Sequence, residues 1–185
     1  MRAVVGITGA TGTIYGYRLL QKLKEHGIET AIVISDYATK ILEMEDGKSV
    51  ADLTEFGEVY SSSDLMAPTA SGSYKFDAMV IVPCTMKTLA EIANGLSSNL
   101  ISRTADVALK ERRKLILVTR ETPLSLVHIK NMLKATSAGA VVLPASPGFY
   151  HKPKTIEDLV DYVVGKVLDQ LGIEHELFRR WGAEK

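Results

Sequence analysis

Short apolar runs alternate along this chain with longer stretches in which apolar residues recur every three or four positions. Ala3 to Thr8 (Ala-Val-Val-Gly-Ile-Thr) is the first run, rich in β-branched residues. Gly9-Ala10-Thr11-Gly12 follows, and Ile14 to His26 then shows helical spacing. This predicts a strand, a glycine turn and a helix. Gly27 stops the helix, Glu29 to Ile34 forms a second buried run, and Ser35 or Asp36 is placed to cap a helix reaching about Met44. The unit is βαβ, so its two strands are expected to be parallel.

From Glu45 to Phe76 the pattern weakens into turn signals, Asp46-Gly47-Lys48-Ser49, Ser61-Ser62-Ser63-Asp64 and Ser71-Gly72-Ser73, around one short strand candidate at Val59-Tyr60. Structureless connections beyond about 12–15 residues are uncommon in compact domains, so some local structure is expected here. Ala78 to Val82 is the next strand, closed by Pro83, with helices predicted over Thr85 to Asn94 and Leu100 to Arg112. Leu115 to Val118 and Ala140 to Leu143 read as strands on either side of a helix from Leu124 to Ser137. A loop with Pro144, Pro147 and Pro153 leads to a last helix, Ile156 to Leu171, capped by Thr155. Alternating buried strands and amphipathic helices predict a three-layer α/β domain with a mainly parallel sheet. No internal repeat or linker divides the chain.

Composition narrows the class. Among 185 residues, 22 Lys and Arg balance 22 Asp and Glu, so there is no basic surplus to draw the chain to nucleic acid or an anionic membrane. The expected partner is a small molecule. A single cysteine, Cys84, excludes an internal disulfide, and His26, His128, His151 and His175 stand too far apart for a metal-ligand pattern. No apolar run approaches the ~20 residues of a membrane span, and no leader-like segment opens the chain. A soluble, cytoplasmic protein is expected.

In such a sheet, ligands bind beyond the carboxyl ends of the strands, near the point where the strand order reverses. Gly9-Ala10-Thr11-Gly12 before a helix offers N–H groups, a hydroxyl and a helix dipole to a phosphate, although its spacing is not G-x-G-x-x-G. Thr85 to Thr88 is a second hydroxyl-rich helix start, where Lys87 is either a charge partner or a solvated lysine. Arg120-Glu121 after a buried strand forms either a structural ion pair or a ligand contact, and beside a substrate Glu121 can exchange protons. Tyr150 and Lys166 can meet as a phenol and a cation around a phosphate, against the plainer reading of a packed tyrosine and a surface lysine. Cys84 reads as a small apolar filler. Tyr162 to Lys166 spells Y-x-x-x-K, which with Asp36 matches a short-chain NAD(P) oxidoreductase. Its place on the terminal helix, with no later strands, weighs against that reading.

Taken in order, the segments resemble the UbiX-type flavin prenyltransferases, in the superfamily that includes the flavin-containing cysteine decarboxylases. The likeness runs from Gly6-Ile7-Thr8-Gly9-Ala10-Thr11-Gly12 through Val33-Ile34-Ser35, Met66-Ala67-Pro68, Pro83-Cys84-Thr85-Met86-Lys87-Thr88 and Asn99-Leu100-Ile101 with Arg103. Arg120-Glu121-Thr122-Pro123-Leu124, Pro147-Gly148-Phe149-Tyr150-His151, and Leu171-Gly172-Ile173 with Arg180-Trp181 are its strongest pieces.

The resemblance implies a Rossmann-like or flavodoxin-like flavoprotein domain over residues 1–185, with residues 172–185 docking at the active site or on a neighbouring subunit. It implies transfer of a dimethylallyl group from dimethylallyl monophosphate to reduced FMN, at N5 and then C6, without a metal. The prenylated FMN would serve a UbiD-type decarboxylase, and members look like homododecamers with active sites where subunits meet. By matching position, Gly9, Ala10, Thr11, Ser35, Thr85, Met86, Lys87, Thr88 and Arg120 hold FMN. Tyr150 and Lys166 hold the prenyl phosphate, joined by Arg103 and Lys110 at a site shared between subunits. Thr11, Glu45 and Glu121 are catalytic, with Glu121 linked to the Thr11 hydroxyl and relaying a proton, while Ser71 and Trp181 lie at or near the pocket. Thr11 replaces a commoner serine, and Lys166 a commoner arginine, exchanging a bidentate phosphate donor for a point charge. The main alternative, a flavin-dependent decarboxylase of the same superfamily, needs an early catalytic histidine, and His26 is poorly placed for it.

Overall fold

Six strands form one sheet in which every recorded pairing is parallel: β1 (Arg2–Ile7), β2 (Glu29–Ile34), β3 (Glu58–Ser61), β4 (Ala78–Cys84), β5 (Lys114–Thr119) and β6 (Val141–Val142). They come from a computed structural model that describes residues 1–182; residues 183–185, the end of the predicted C-terminal extension, lie outside the described residues. The order β3-β2-β1-β4-β5-β6 is the Rossmann-like doubly wound arrangement, with its switch point between β1 and β4.

The helices are α1 (Thr13–Glu25), α2 (Asp36–Asp46), α3 (Val50–Leu53), α4 (Met86–Ala93), α5 (Leu100–Lys110), α6 (Leu126–Ser137) and α7 (Ile156–Leu171). Alternation along β1 divides them into two layers. Ala3, Val5 and Ile7 belong to one buried cluster with Leu19, Leu20 and Leu23 of α1 and Val160, Val163 and Val164 of α7. Val4 belongs to a second cluster with Leu89 of α4, Leu100, Ile101 and Ala105 of α5, and Ala135 of α6. Each fully buried leucine or isoleucine in these layers contributes about 1.5–3 kcal/mol. The layers sit close on the sheet: a Cβ on Gly16 of α1 would fall 2.7 Å from the Val82 carbonyl oxygen of β4.

The differences from the sequence reading have local causes. α5 stops at Lys110 rather than Arg112, which takes φ 57° and turns the chain out of the helix. α6 starts at Leu126 because the Ser125 hydroxyl accepts the His128 N–H at 3.3 Å and caps it there. The long weak stretch folds into α3, the edge strand β3 and a single 3₁₀ turn at Pro68–Ala70. That stretch is tied to α5 and its end: Thr104 Oγ1 meets Thr69 Oγ1 at 3.1 Å, and the Arg113 guanidinium donates to the Gly72 and Tyr74 carbonyls at 2.8 Å each.

Candidate active site

Thr8, the last residue before the first turn, is buried and joins the two strands of the switch point. Its hydroxyl donates to the Pro83 carbonyl at 2.7 Å and accepts the Thr85 N–H at 2.9 Å. Thr85 is thereby set as the N-cap of α4, where its Oγ1 accepts the Thr88 N–H at 3.1 Å and lies 3.0 Å from Thr88 Oγ1. Around this helix start the strand ends line a cavity of about 400 Å³ with Thr8, Gly9, Ser35, Ser62, Thr85 and Thr88. Five hydroxyls and a helix N-terminus suit a phosphate. Gly9 is required at the rim, since a Cβ there would meet Tyr37 Cβ at 2.6 Å.

The first turn behaves otherwise. The Gly12 N–H donates to Glu45 Oε2 at 2.8 Å and the Thr13 hydroxyl to Asp46 Oδ2 at 2.7 Å, so two carboxylates of the chain already satisfy the start of α1. Thr11 is exposed, and among the described residues no hydrogen bond joins its hydroxyl to Glu121, whose carboxylate instead accepts the Thr122 N–H at 3.1 Å. Met86 is buried in the α4–α6 layer, while Lys87 is exposed, lines the cavity and pairs with Glu91 at 3.5 Å.

At the end of β5, Thr119 to Leu124 line another cavity of about 280 Å³ with Pro144 to Ser146. Thr119 Oγ1 and Arg120 Nε are buried there with no hydrogen-bond partner among the described residues. Buried donors left open are uncommon and mark a place where a polar ligand fits. These groups and the hydroxyl-lined helix start match what a flavin mononucleotide requires. Cys84, next to Thr85, is fully buried, and burial pushes its thiol up to about 12, so it serves packing.

Tyr150 stands elsewhere, in an aromatic group with Tyr162 (5.9 Å between centroids), Trp181 (5.4 Å) and His151 (5.7 Å). Both His151 ring nitrogens are buried and have no hydrogen-bond partner among the described residues. Burial first, then Tyr162 and Asp169, push the Tyr150 phenol up, against the pull of Arg180. Lys166 on α7 pairs with Asp169 at 3.1 Å, and Arg180 grips the same carboxylate, so Tyr150 and Lys166 share one side of the molecule. Tyr162 stacks on His151 at 5.2 Å and 9°.

Arg103 and Lys110 do not join that group. They lie on α5, in the opposite layer, where Arg103 donates to the Ala70 carbonyl at 3.0 Å and to Asp106 at 2.9 Å, and Lys110 pairs with Glu111. Ser71, bonded to Ser73 at 2.8 Å, is beside them. No described helix is long and apolar enough to cross a membrane, and no metal-holding group of side chains occurs among the described residues.

The Flavoprotein family matches residues 1–168. A flavin prenyltransferase UbiX of Halalkalibacterium halodurans is 51% identical, over 98% of this chain and 93% of its own. The chain belongs to the UbiX-type flavin prenyltransferases. Two solved members have nearly its backbone. AnUbiX (PadA1), crystallised with FMN and dimethylallyl pyrophosphate, has a TM-score of 0.96 and 45% identity over 100% of this chain and 98% of its own. A dodecameric FMN-dependent UbiX-like protein of Escherichia coli O157:H7, described as a decarboxylase, has a TM-score of 0.96 and 44% identity over 99% and 100%. A prenyltransferase of this family needs no early histidine, and His26 lies far from the strand ends: its Nδ1 faces the Lys22 carbonyl at 2.8 Å, at the close of α1. Thr8, Ser62 and Thr119 were not singled out as site residues by sequence. A buried threonine ending a strand reads there only as a β-former.

Proposed function

We propose that this flavin prenyltransferase transfers a dimethylallyl group from dimethylallyl monophosphate to reduced FMN, at N5 and then C6. The observation that supports it is the pairing of a hydroxyl-lined helix start, suited to the flavin phosphate, with a separate cation and aromatic group at Tyr150. The reduced flavin supplies the nucleophilic atoms, and the allylic phosphate supplies the electrophilic carbon and the leaving group.

Ser35, Thr85, Thr88 and the first N–H groups of α4 hold the flavin phosphate, with Lys87 adding charge from the exposed side and the Met86 backbone among the donors. Gly9, Ala10 and Thr11 form the wall of that cleft, and Arg120 turns its open Nε–H to the ring system. Tyr150 and Lys166 hold the prenyl phosphate and stabilise the charge it takes as it leaves. Glu121 receives the proton released as the second bond forms, and Glu45 holds the first turn in place beside it. Trp181 and Ser71 bound the prenyl site.

Arg103 and Lys110 act from a second copy of the chain. The dodecameric relative and the exposed apolar face of α6, Leu126, Ile129 and Leu133, support such an assembly, for which we take copies of this chain as the cover. We treat residues 1–185 as one domain with an extension from residue 172, working in the cytoplasm and supplying a UbiD-type decarboxylase. The test is anaerobic incubation of the protein with reduced FMN and dimethylallyl monophosphate, read by the mass of the flavin.

A further inference from the structure

Asp169 lies one turn after Lys166 on α7 and gathers more partners than any surface carboxylate needs. Its Oδ2 accepts from Lys166 Nζ at 3.1 Å and from Arg180 Nη1 at 2.8 Å, while Oδ1 accepts from Arg180 Nη2 at 2.6 Å. His175 Nε2 lies 3.3 Å from Oδ1, and its Nδ1 accepts the Leu177 N–H at 3.2 Å, which fixes the ring. Burial would raise the Asp169 carboxyl, but Arg180 and Lys166 hold it down at about 2.

Two of these partners come from the C-terminal segment, which is seated at three further points. Phe178 packs where α7 has Gly165, whose Cβ would fall 2.5 Å from the ring. His26 Nε2 faces the Glu174 carbonyl at 3.0 Å. Trp181, next to Arg180, meets Tyr150 edge-on. A continuous path of contacts thus runs from Lys166 through Asp169, Arg180 and Trp181 to Tyr150. Asp169 itself is unsuited to touch a phosphate, because both are anions. It leaves Lys166 two of its three hydrogens for one, and removes in advance the rotamer freedom that a lone lysine would lose on binding.

We propose that Asp169 is a positioning residue for the prenyl-phosphate site: by holding Lys166 and Arg180 on one carboxylate, it seats residues 175–182 against Tyr150. The proposal rests on the assignment of Tyr150 and Lys166 to the phosphate. Full-length protein loaded with FMN is assayed with dimethylallyl monophosphate as Asp169→Asn, Asp169→Glu, Arg180→Gln and Lys166→Met. Asp169→Asn is expected to raise KM for the prenyl phosphate about tenfold, in line with loss of charge-assisted hydrogen bonds, with kcat within about a factor of two and FMN affinity unchanged. The emission of Trp181, the chain's single tryptophan, shifts as its ring leaves Tyr150. Asp169→Glu recovers part of the loss, and Arg180→Gln, which cuts the same link from the other side, reproduces it. Unchanged KM and emission in Asp169→Asn, or in Arg180→Gln should the first not fold, overturn the proposal. If Lys166→Met still raises KM in that case, the phosphate assignment survives alone; if it does not, both fall.

Discussion

Thr8 shows how much of the site depends on one hydroxyl. It closes the gap between the ends of β1 and β4 and sets Thr85 as the cap of the helix that faces the cavity. Thr8→Val keeps the shape, leaves the Thr85 N–H without its hydroxyl acceptor and leaves the Pro83 carbonyl only the longer bond from the Thr8 N–H at 3.3 Å. It is expected to cost about 2 kcal/mol in denaturant unfolding and to weaken FMN binding. Glu121→Gln is the corresponding chemical test: FMN stays bound, and formation of the finished ring slows about 10²-fold or more, followed by the mass of the flavin in single turnovers. Normal rates there remove Glu121 from the proton path. Residues whose type alone implies chemistry, such as Arg120 and Glu121, were legible in the sequence. Thr8 was not, and the carboxylate that fills the first turn, Glu45, was not legible as its partner, because 33 positions separate it from Gly12.

Among the elements, α7 and the segment after it form the unit most open to test. Gly165→Ala places a methyl group against Phe178 and His175, so the segment shifts and the Trp181 emission changes while the sheet remains intact. Acid acts on the same contact. The Asp169 carboxyl is held below its ordinary 3.8, so its ion pairs with Lys166 and Arg180, beside His175, stabilise the docked segment above about pH 4 and are lost as pH falls toward about 2. An acid titration of Trp181 emission should show that loss, and Asp169→Asn should remove it. The central elements were readable because β1, β2, β4 and β5 are continuous apolar runs with glycine, proline or hydroxyl punctuation. β3 was legible only as the short candidate Val59-Tyr60, since an edge strand with two half-buried residues has no clear period, and α3 was obscured because a four-residue helix is shorter than two turns.

At the scale of the whole molecule, the decisive feature is a division that no strand-end motif reveals. Lys166 on α7 and Tyr150 beside Tyr162 lie on the α1–α7 side and Arg103 and Lys110 on α5 in the opposite layer, so a single chain does not gather these three cations and the phenol in one place. Their places in the sequence carry no signal of which layer they occupy until the sheet order is known. Mixed assemblies of Arg103→Ala and Lys166→Met chains should recover activity that neither variant has alone, since some sites then draw each residue from an unaltered copy. Leu133→Glu on the exposed face of α6 should lower the assembly mass in light scattering and reduce turnover with it. The most direct measurement is the mass of the flavin after reduced FMN and dimethylallyl monophosphate are incubated with the protein without oxygen. The account predicts FMN heavier by one dimethylallyl unit, formed with release of phosphate; unchanged FMN with both the monophosphate and the diphosphate would contradict it.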